Sequence, residues 1–170
     1  MKWILLSWMF LATQSEHSRI NQEIKFSETG KAVKIVDGDT FDFLGKNNRL
    51  SRVRLYGIDS PERRQDYYQA AKNALAGFIL HQHVTLQTTG RDRNGRLIAI
   101  AYCRGENINL AMIRGGYAWH FKKYSRDAGW AAAEEKARKL GKGLWRGAHP
   151  IAPWDFRQIR RKGISRQVVP

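Results

Sequence analysis

Between Lys31 and Tyr102 the chain is cut into short stretches of β character separated by turn signals, and this rhythm limits the fold more than any other feature. Residues 31–43 alternate and carry β-branched side chains, with Asp37-Gly38-Asp39 interrupting the run. Residues 50–58 alternate as well, with Leu50, Arg52, Arg54 and Tyr56 on one side and Ser51, Val53, Leu55 and Gly57 on the other. Val84-Thr85-Leu86-Gln87 predicts a further strand, and a turn at Gly95 leads into another over 97–102. Residues 67–80 instead place Ala70, Ala71, Ala74, Leu75, Phe78 and Ile79 at helical spacing. A short helix is expected over 107–114, stopped by Gly115-Gly116, then a last strand over 117–121. Residues 128–140, rich in Ala, Glu, Lys and Arg and closed by Gly141, predict a strong helix. Short strands with about three inserted helices imply an α+β fold with a mainly β barrel core.

A chain of 170 residues suits one such domain. Its ends read differently from its middle. Lys2 precedes the apolar residues 3–12, and the polar Thr13-Gln14-Ser15-Glu16 follows. Ten residues as a helix reach about 15 Å, half of a bilayer core of about 30 Å, so the segment is too short to span. Residues 1–15 read as a secretory signal, which predicts export to the periplasm or the medium. The folded domain is expected over 28–148. Pro150 and Pro153 mark its end, and Arg157, Arg160, Arg161, Lys162 and Arg166 then make 149–170 a basic tail, expected to be loosely held.

Lys and Arg number 30 against 15 Asp and Glu, a net charge of +15, which points to a polyanionic partner such as nucleic acid. Charge does not separate cutting from holding. Cys103 is the single cysteine and lies in an apolar run, as a buried inert thiol would. His81 and His83 read as a solvated element end, without zinc spacing.

Phosphodiester cleavage needs a cation against the phosphate, a group that activates water, and positive charge facing the phosphorus. Three clusters offer these. Asp37-Gly38-Asp39-Thr40 supplies paired carboxylates at a strand bend, although Asp-Gly alone is equally a turn dipeptide. Arg54-Leu55-Tyr56-Gly57-Ile58-Asp59-Ser60-Pro61-Glu62 adds two more acids and an arginine, although Ser-Pro-Glu alone also reads as a helix N-cap. Arg91-Asp92-Arg93-Asn94-Gly95-Arg96 is a hairpin signal that also reads as a solvated basic loop.

Together, in order and spacing, these clusters resemble the staphylococcal nuclease (thermonuclease) family. The resemblance continues through Ile108-Asn109-Leu110-Ala111-Met112-Ile113-Arg114-x-Gly116 and ends at Gly143-Leu144-Trp145. It implies an oligonucleotide-binding (OB) type five-stranded barrel with packed helices. It also implies a monomeric endonuclease acting on DNA and RNA with low sequence preference, leaving 3′-phosphate ends. Asp39 and Asp59 would bind one Ca²⁺ through carboxylates and Ser60 through its main-chain oxygen, a partial shell that leaves room for water and phosphate. The family usually has threonine at Ser60, a change that a main-chain ligand tolerates. Glu62 would activate water, Arg54 and Arg96 would bind the phosphate, and Asp37 would support the ligand loop. Arg93, Lys122 and Tyr124 are the expected substrate contacts. Lys122 stands where a second tyrosine is expected, which favours phosphate over stacking there.

Two rivals share some of these features. His120-x-Lys122-x₄-Asp127 matches the histidine motif of the phospholipase D superfamily, whose small nucleases need no metal, but the Gly-Ser-x-x-Asn element that should follow is missing. An OB-type module that binds nucleic acid without cutting it is the other. Such a module has no use for acidic groups, which repel phosphate unless a cation lies between them.

Overall fold

The structure is a computed structural model that describes residues 26–163. The N-terminal segment read as a secretory signal, and Arg166 of the basic tail, lie outside the described residues. Three strands form an antiparallel meander: β1 (Phe26–Ile35), β2 (Thr40–Leu44) and β3 (Leu50–Leu55). A two-residue strand β4 (Ile58–Asp59) and helix α1 (Tyr68–Ile79) follow, then β5 (His83–Arg91) and β6 (Leu97–Cys103) as a hairpin.

β1 changes partner along its length. Its first part, Phe26 to Lys31, pairs with β5, and its second part, from Lys31 to Ile35, pairs with β2, with a register irregularity between Ala32 and Lys34. Such a bend lets a sheet curl until its edges meet. They meet where β6 runs parallel to β3 through Val53↔Leu97, Arg54↔Ile98 and Leu55↔Ala99, closing a five-stranded barrel of β1, β2, β3, β5 and β6. The alternation read from residues 50–58 survives as geometry, with Val53 and Leu55 buried and Arg52 exposed. β6 buries Leu97, Ala99, Ala101 and Cys103, so the thiol is a core group.

The two-residue strand β7 (Glu106–Asn107) leads into α2 (Ile108–Arg114), and β8 (Trp119–His120) pairs with β4. Asn107 is the cap of α2 rather than its first turn, accepting from the Leu110 N–H at 3.0 Å. Helix α3 (Ala128–Lys139) is capped in the same way by Asp127. α1 lays Ala71, Leu75 and Ile79 on the barrel, and α2 adds Ile108, Met112 and Ile113 to the same core. Each large aliphatic side chain buried this way contributes about 1.5–3 kcal/mol.

One expectation is corrected outright. The tail expected to be loosely held contains a fourth helix, α4 (Pro153–Arg161), with Pro153 at its N-terminus and Pro153 and Phe156 buried. Proline fits there because the first helical N–H needs no partner and the fixed φ suits a helix. Its neighbourhood is a second, smaller core of Trp119, Ala137, Leu144 and Trp145, with Tyr67, Ala152 and Trp154 packed against it.

Asn109 locks α2 to the barrel seam. Fully buried, it accepts the Ala101 N–H at 3.0 Å and donates to the Tyr56 and Ala99 carbonyls at 2.8 and 3.3 Å. An alanine there would leave buried main-chain groups without that partner, at about 1–3 kcal/mol each. Asn109→Ala should therefore destabilise the fold by about 2–4 kcal/mol, read as a lower urea midpoint at unchanged m-value.

Candidate active site

The bend between β1 and β2 sets up the site. Val36 and Asp37 both donate their N–H to the Thr40 carbonyl, at 2.9 and 3.2 Å, which folds Asp37-Gly38-Asp39 into a tight turn. Gly38 is required by close approach: a Cβ would fall 2.7 Å from that of Ala71 on α1 and 2.9 Å from the Ser60 hydroxyl oxygen. The register of β2 on β3 sets Arg54 opposite Thr40, and the Leu55 N–H donates to the Asp39 carbonyl at 2.8 Å.

From this position Arg54 reaches both buried acids. One guanidinium nitrogen donates to Asp39 Oδ1 and the other to Asp59 Oδ1 at 2.7 Å. Asp39 also accepts the Ser60 N–H at 2.9 Å and the Thr40 hydroxyl at 3.0 Å, while Asp37 accepts the Asp39 N–H at 3.1 Å. Asp39, Asp59 and Ser60 are only 2%, 1% and 4% exposed. Ser60-Pro61-Glu62 does not cap a helix, because α1 begins only at Tyr68.

The electrostatics follow from burial. Asp37 is pushed up to about 7 by burial and then by the charge of Asp39. Burial acts on Asp39 in the same sense, but Arg54 and the Ser60 and Thr40 hydrogen bonds outweigh it and hold its carboxyl below the usual range. Asp59 is raised, mainly by burial and further by Asp39, against the pull of Arg157 and Arg54. The Asp39 charge thus bears on both Asp37 and Asp59, while Arg54 bonds Asp39 and Asp59 and Arg157 bonds Asp59.

Asp37, Arg54 and Glu62 line an open cleft of about 1250 Å³, together with Arg91, Arg93, Arg96, Lys122 and Tyr124. Asp39, Asp59 and Ser60 lie under its floor, joined to it through Arg54. Arg96 projects from the start of β6, braced by Asp92, which accepts its Nε at 2.8 Å and its main-chain N–H at 3.0 Å. Burial raises Asp92, but the bonds from Arg96 and Asn94 bring it below its ordinary value. Lys122 stands 3.7 Å from the buried Glu134, and Tyr124 is 60% exposed.

Sequence reasoning missed Arg157. From α4 it donates to Asp59 Oδ2 at 2.7 Å, to Asp59 Oδ1 at 3.3 Å and to Glu62 Oε1 at 2.5 Å. The signal was available: Pro153 followed by Trp154 and Phe156 marks a helix start with an apolar side, but the run of basic residues hid it.

The histidine motif does not converge. His120 is buried with Nε2 at 3.1 Å from the Ser125 hydroxyl, Asp127 is occupied in capping α3, and Lys122 faces Glu134. His81 and His83 are exposed at the joint between α1 and β5.

A closed five-stranded barrel with acids buried beneath a cationic cleft defines a class, the OB-type barrel. A family model described as "Staphylococcal nuclease homologue" matches residues 52–147, and the chain belongs to this family. It is 41% identical over 137 residues to an "Uncharacterized endonuclease" of Haemophilus influenzae, covering 81% of this chain and 77% of that protein. A protein of the same description from Escherichia coli O157:H7 is 34% identical over 129 residues, 75% of this chain and 84% of that one. The rice "Probable staphylococcal-like nuclease CAN3" is 35% identical over 113 residues, 66% of this chain and 30% of that one.

His120 gives the fold a pH dependence. Burial lowers its pKa from 6.5, so the unfolded chain takes up a proton before the folded one does. Stability should hold above about pH 6.5 and fall as the pH drops from there towards the folded-state value. Urea midpoints between about pH 8 and 5.5 should fall less steeply for His120→Asn than for the wild type.

Proposed function

We propose that the protein is a Ca²⁺-dependent endonuclease that hydrolyses DNA and RNA with low sequence preference, leaving 3′-phosphate ends. Phosphodiester hydrolysis itself follows from the family and from the endonuclease names of its relatives. The observation that carries the finer reading is the repulsion that Asp39 exerts on Asp37 and Asp59 at a cleft lined by arginines. In a chain of net charge +15, acids buried at a phosphate site make sense with a divalent cation between them and the substrate.

The donor set fits a hard cation. Asp39 and Asp59 would hold it through carboxylate oxygens and Ser60 through its main-chain oxygen, with Asp37 bracing the bend through the Asp39 N–H. Among the described residues no three His, Cys, Asp or Glu side chains converge to hold an ion by themselves, so water and a phosphate oxygen would complete the shell. Such an ion, when bound, polarises the phosphoryl oxygen and offsets the charge that builds in the transition state.

The chain's own groups do the rest. Glu62, on the cleft wall, accepts a proton from the attacking water. Arg54 donates to the phosphate while still bridging the acids beneath it. Arg96 has Nε and Nη2 engaged with Asp92, which fixes its direction and leaves the Nη1 hydrogens for a phosphate oxygen. Arg93, Lys122 and Tyr124, all exposed on the same cleft, would carry the flanking strand.

The reading is tested by cleavage of DNA and RNA oligonucleotides in Ca²⁺, Mg²⁺ and EDTA. Ca²⁺ should support cleavage and EDTA should abolish it; activity that survives full chelation would refute the metal requirement. Glu62→Gln should lower kcat by about 10²–10⁴-fold with little change in substrate affinity. Arg54→Lys should also be severe, since lysine lacks the planar fork that serves two acids and a phosphate.

A further inference from the structure

We propose that Arg157 is a positioning residue of the active site: supplied by α4, its guanidinium holds the Glu62 carboxylate against Asp59. The inference rests on the assignment of Glu62 as the group that activates water. It concerns a part of the chain beyond residues 52–147, the region that matches the family.

Glu62 needs such a partner. It lies in the loop between β4 and α1, where no regular element fixes its direction. Its main-chain N–H is anchored by the Gln65 side chain at 2.9 Å, but that leaves the carboxylate free to turn. Among the described residues Arg157 alone hydrogen-bonds that carboxylate, at 2.5 Å, while its second nitrogen grips Asp59 at 2.7 Å. A planar guanidinium can serve two carboxylates at once, whereas an ammonium acts as a single point of charge.

The two arginines therefore divide the acids between them. Arg54 bridges Asp39 and Asp59, and Arg157 bridges Asp59 and Glu62. The link fixes the distance from the general base to the acid that would hold the cation. Misplacement by about 1 Å can cost a hundredfold in rate, so this is where rigidity matters.

α4 is well placed to impose it. Trp154 stacks on Phe121, with ring centroids 5.1 Å apart and planes 6° from parallel, and Phe156 is buried. A second tie binds the same two segments, because the Gln65 side chain donates to the Ile151 carbonyl just ahead of α4. The loop that carries Glu62 is thus fastened to the α4 region at Gln65 and at Glu62 itself. Burial alone would lower the Arg157 pKa, but Asp59 and Glu62 more than reverse this and keep it charged.

The test compares Arg157→Ala, Arg157→Lys, Glu62→Gln and the double variant Glu62→Gln/Arg157→Ala on one DNA oligonucleotide in Ca²⁺. Arg157→Ala should lower kcat by about 10–100-fold and leave KM within about twofold. Added methylguanidinium should restore part of that kcat, and Arg157→Lys should fall between the two. In the Glu62→Gln background the same alanine should cost no further rate, because the group it orients is already gone. Oligonucleotide affinity measured by anisotropy in EDTA should be unchanged. A raised KM at normal kcat, or the same loss of kcat with and without Glu62, would overturn the proposal. Should Arg157→Ala fail to fold by circular dichroism, Arg157→Lys carries the decision, and full wild-type kcat with lysine would overturn it. A wild type without nuclease activity would instead sink the assignment of Glu62, and this inference with it.

Discussion

Everything in the cleft depends on one guanidinium held between two buried acids. Asp39 and Asp59 are almost sealed from water, where an unpaired carboxylate costs several kcal/mol. Arg54 offsets this by reaching both from a single position, with the Ser60 N–H and the Thr40 hydroxyl completing Asp39. Because the three groups come from the β1–β2 bend, β3 and β4, their ion pairs also fix how these elements meet. The barrel does not merely carry the site, since the contacts that join the β1–β2 bend, β3 and β4 pass through it.

The topology explains how one arginine reaches both buried acids. Antiparallel register brings Thr40 opposite Arg54, and β4 follows β3 after only two residues, so acids far apart in sequence arrive on one side of one side chain. The parallel seam of β3 with β6 then brings the β5–β6 hairpin, and with it Arg96, to the same cleft. Arginines and lysines dominate the walls, with Glu62 and Asp37 among them and Asp39 and Asp59 buried below, and the excess of positive charge there attracts a polyanion.

Most of this was legible in residues that obey a period or a turn rule. Alternation over 50–58 located β3 and put Arg54 on the side opposite Val53 and Leu55, and helical spacing of Ala71, Leu75 and Ile79 located α1. The acids of the site were legible only as a set, since each turn or cap reading was as good as the chemical one in isolation. Less visible were features that depend on tertiary contact. β5 extends from His83 to Arg91, well past the four residues that look β-like, because pairing with β6 carries it through the register shift near Gly90. The strand expected over 117–121 shrinks to Trp119–His120, the only part that finds a partner in β4. α4 was hidden by composition: five of its nine residues are charged or amide-bearing, and the apolar contacts that hold it come from Phe121 and the second core.

That second core gives the site its division of labour. The barrel fixes Asp39 and Arg54 through its β1–β2 bend and strand register, Asp59 follows on β4, and Glu62 and Arg157 lie outside these elements. Their positions are set by the smaller cluster of Trp119, Ala137, Leu144 and Trp145, against which Tyr67, Ala152 and Trp154 pack at the edges of the Glu62 loop and α4. Asp39 and Glu62 are thus supported by different cores, and Asp59 lies where the two adjoin, on a strand that pairs with Trp119. They meet at Asp59, which Arg54 grips from the barrel and Arg157 from α4. A small shift of the Glu62 loop against β4 would move Glu62 relative to Asp59 without opening the barrel, and the Arg157 bridge resists that shift.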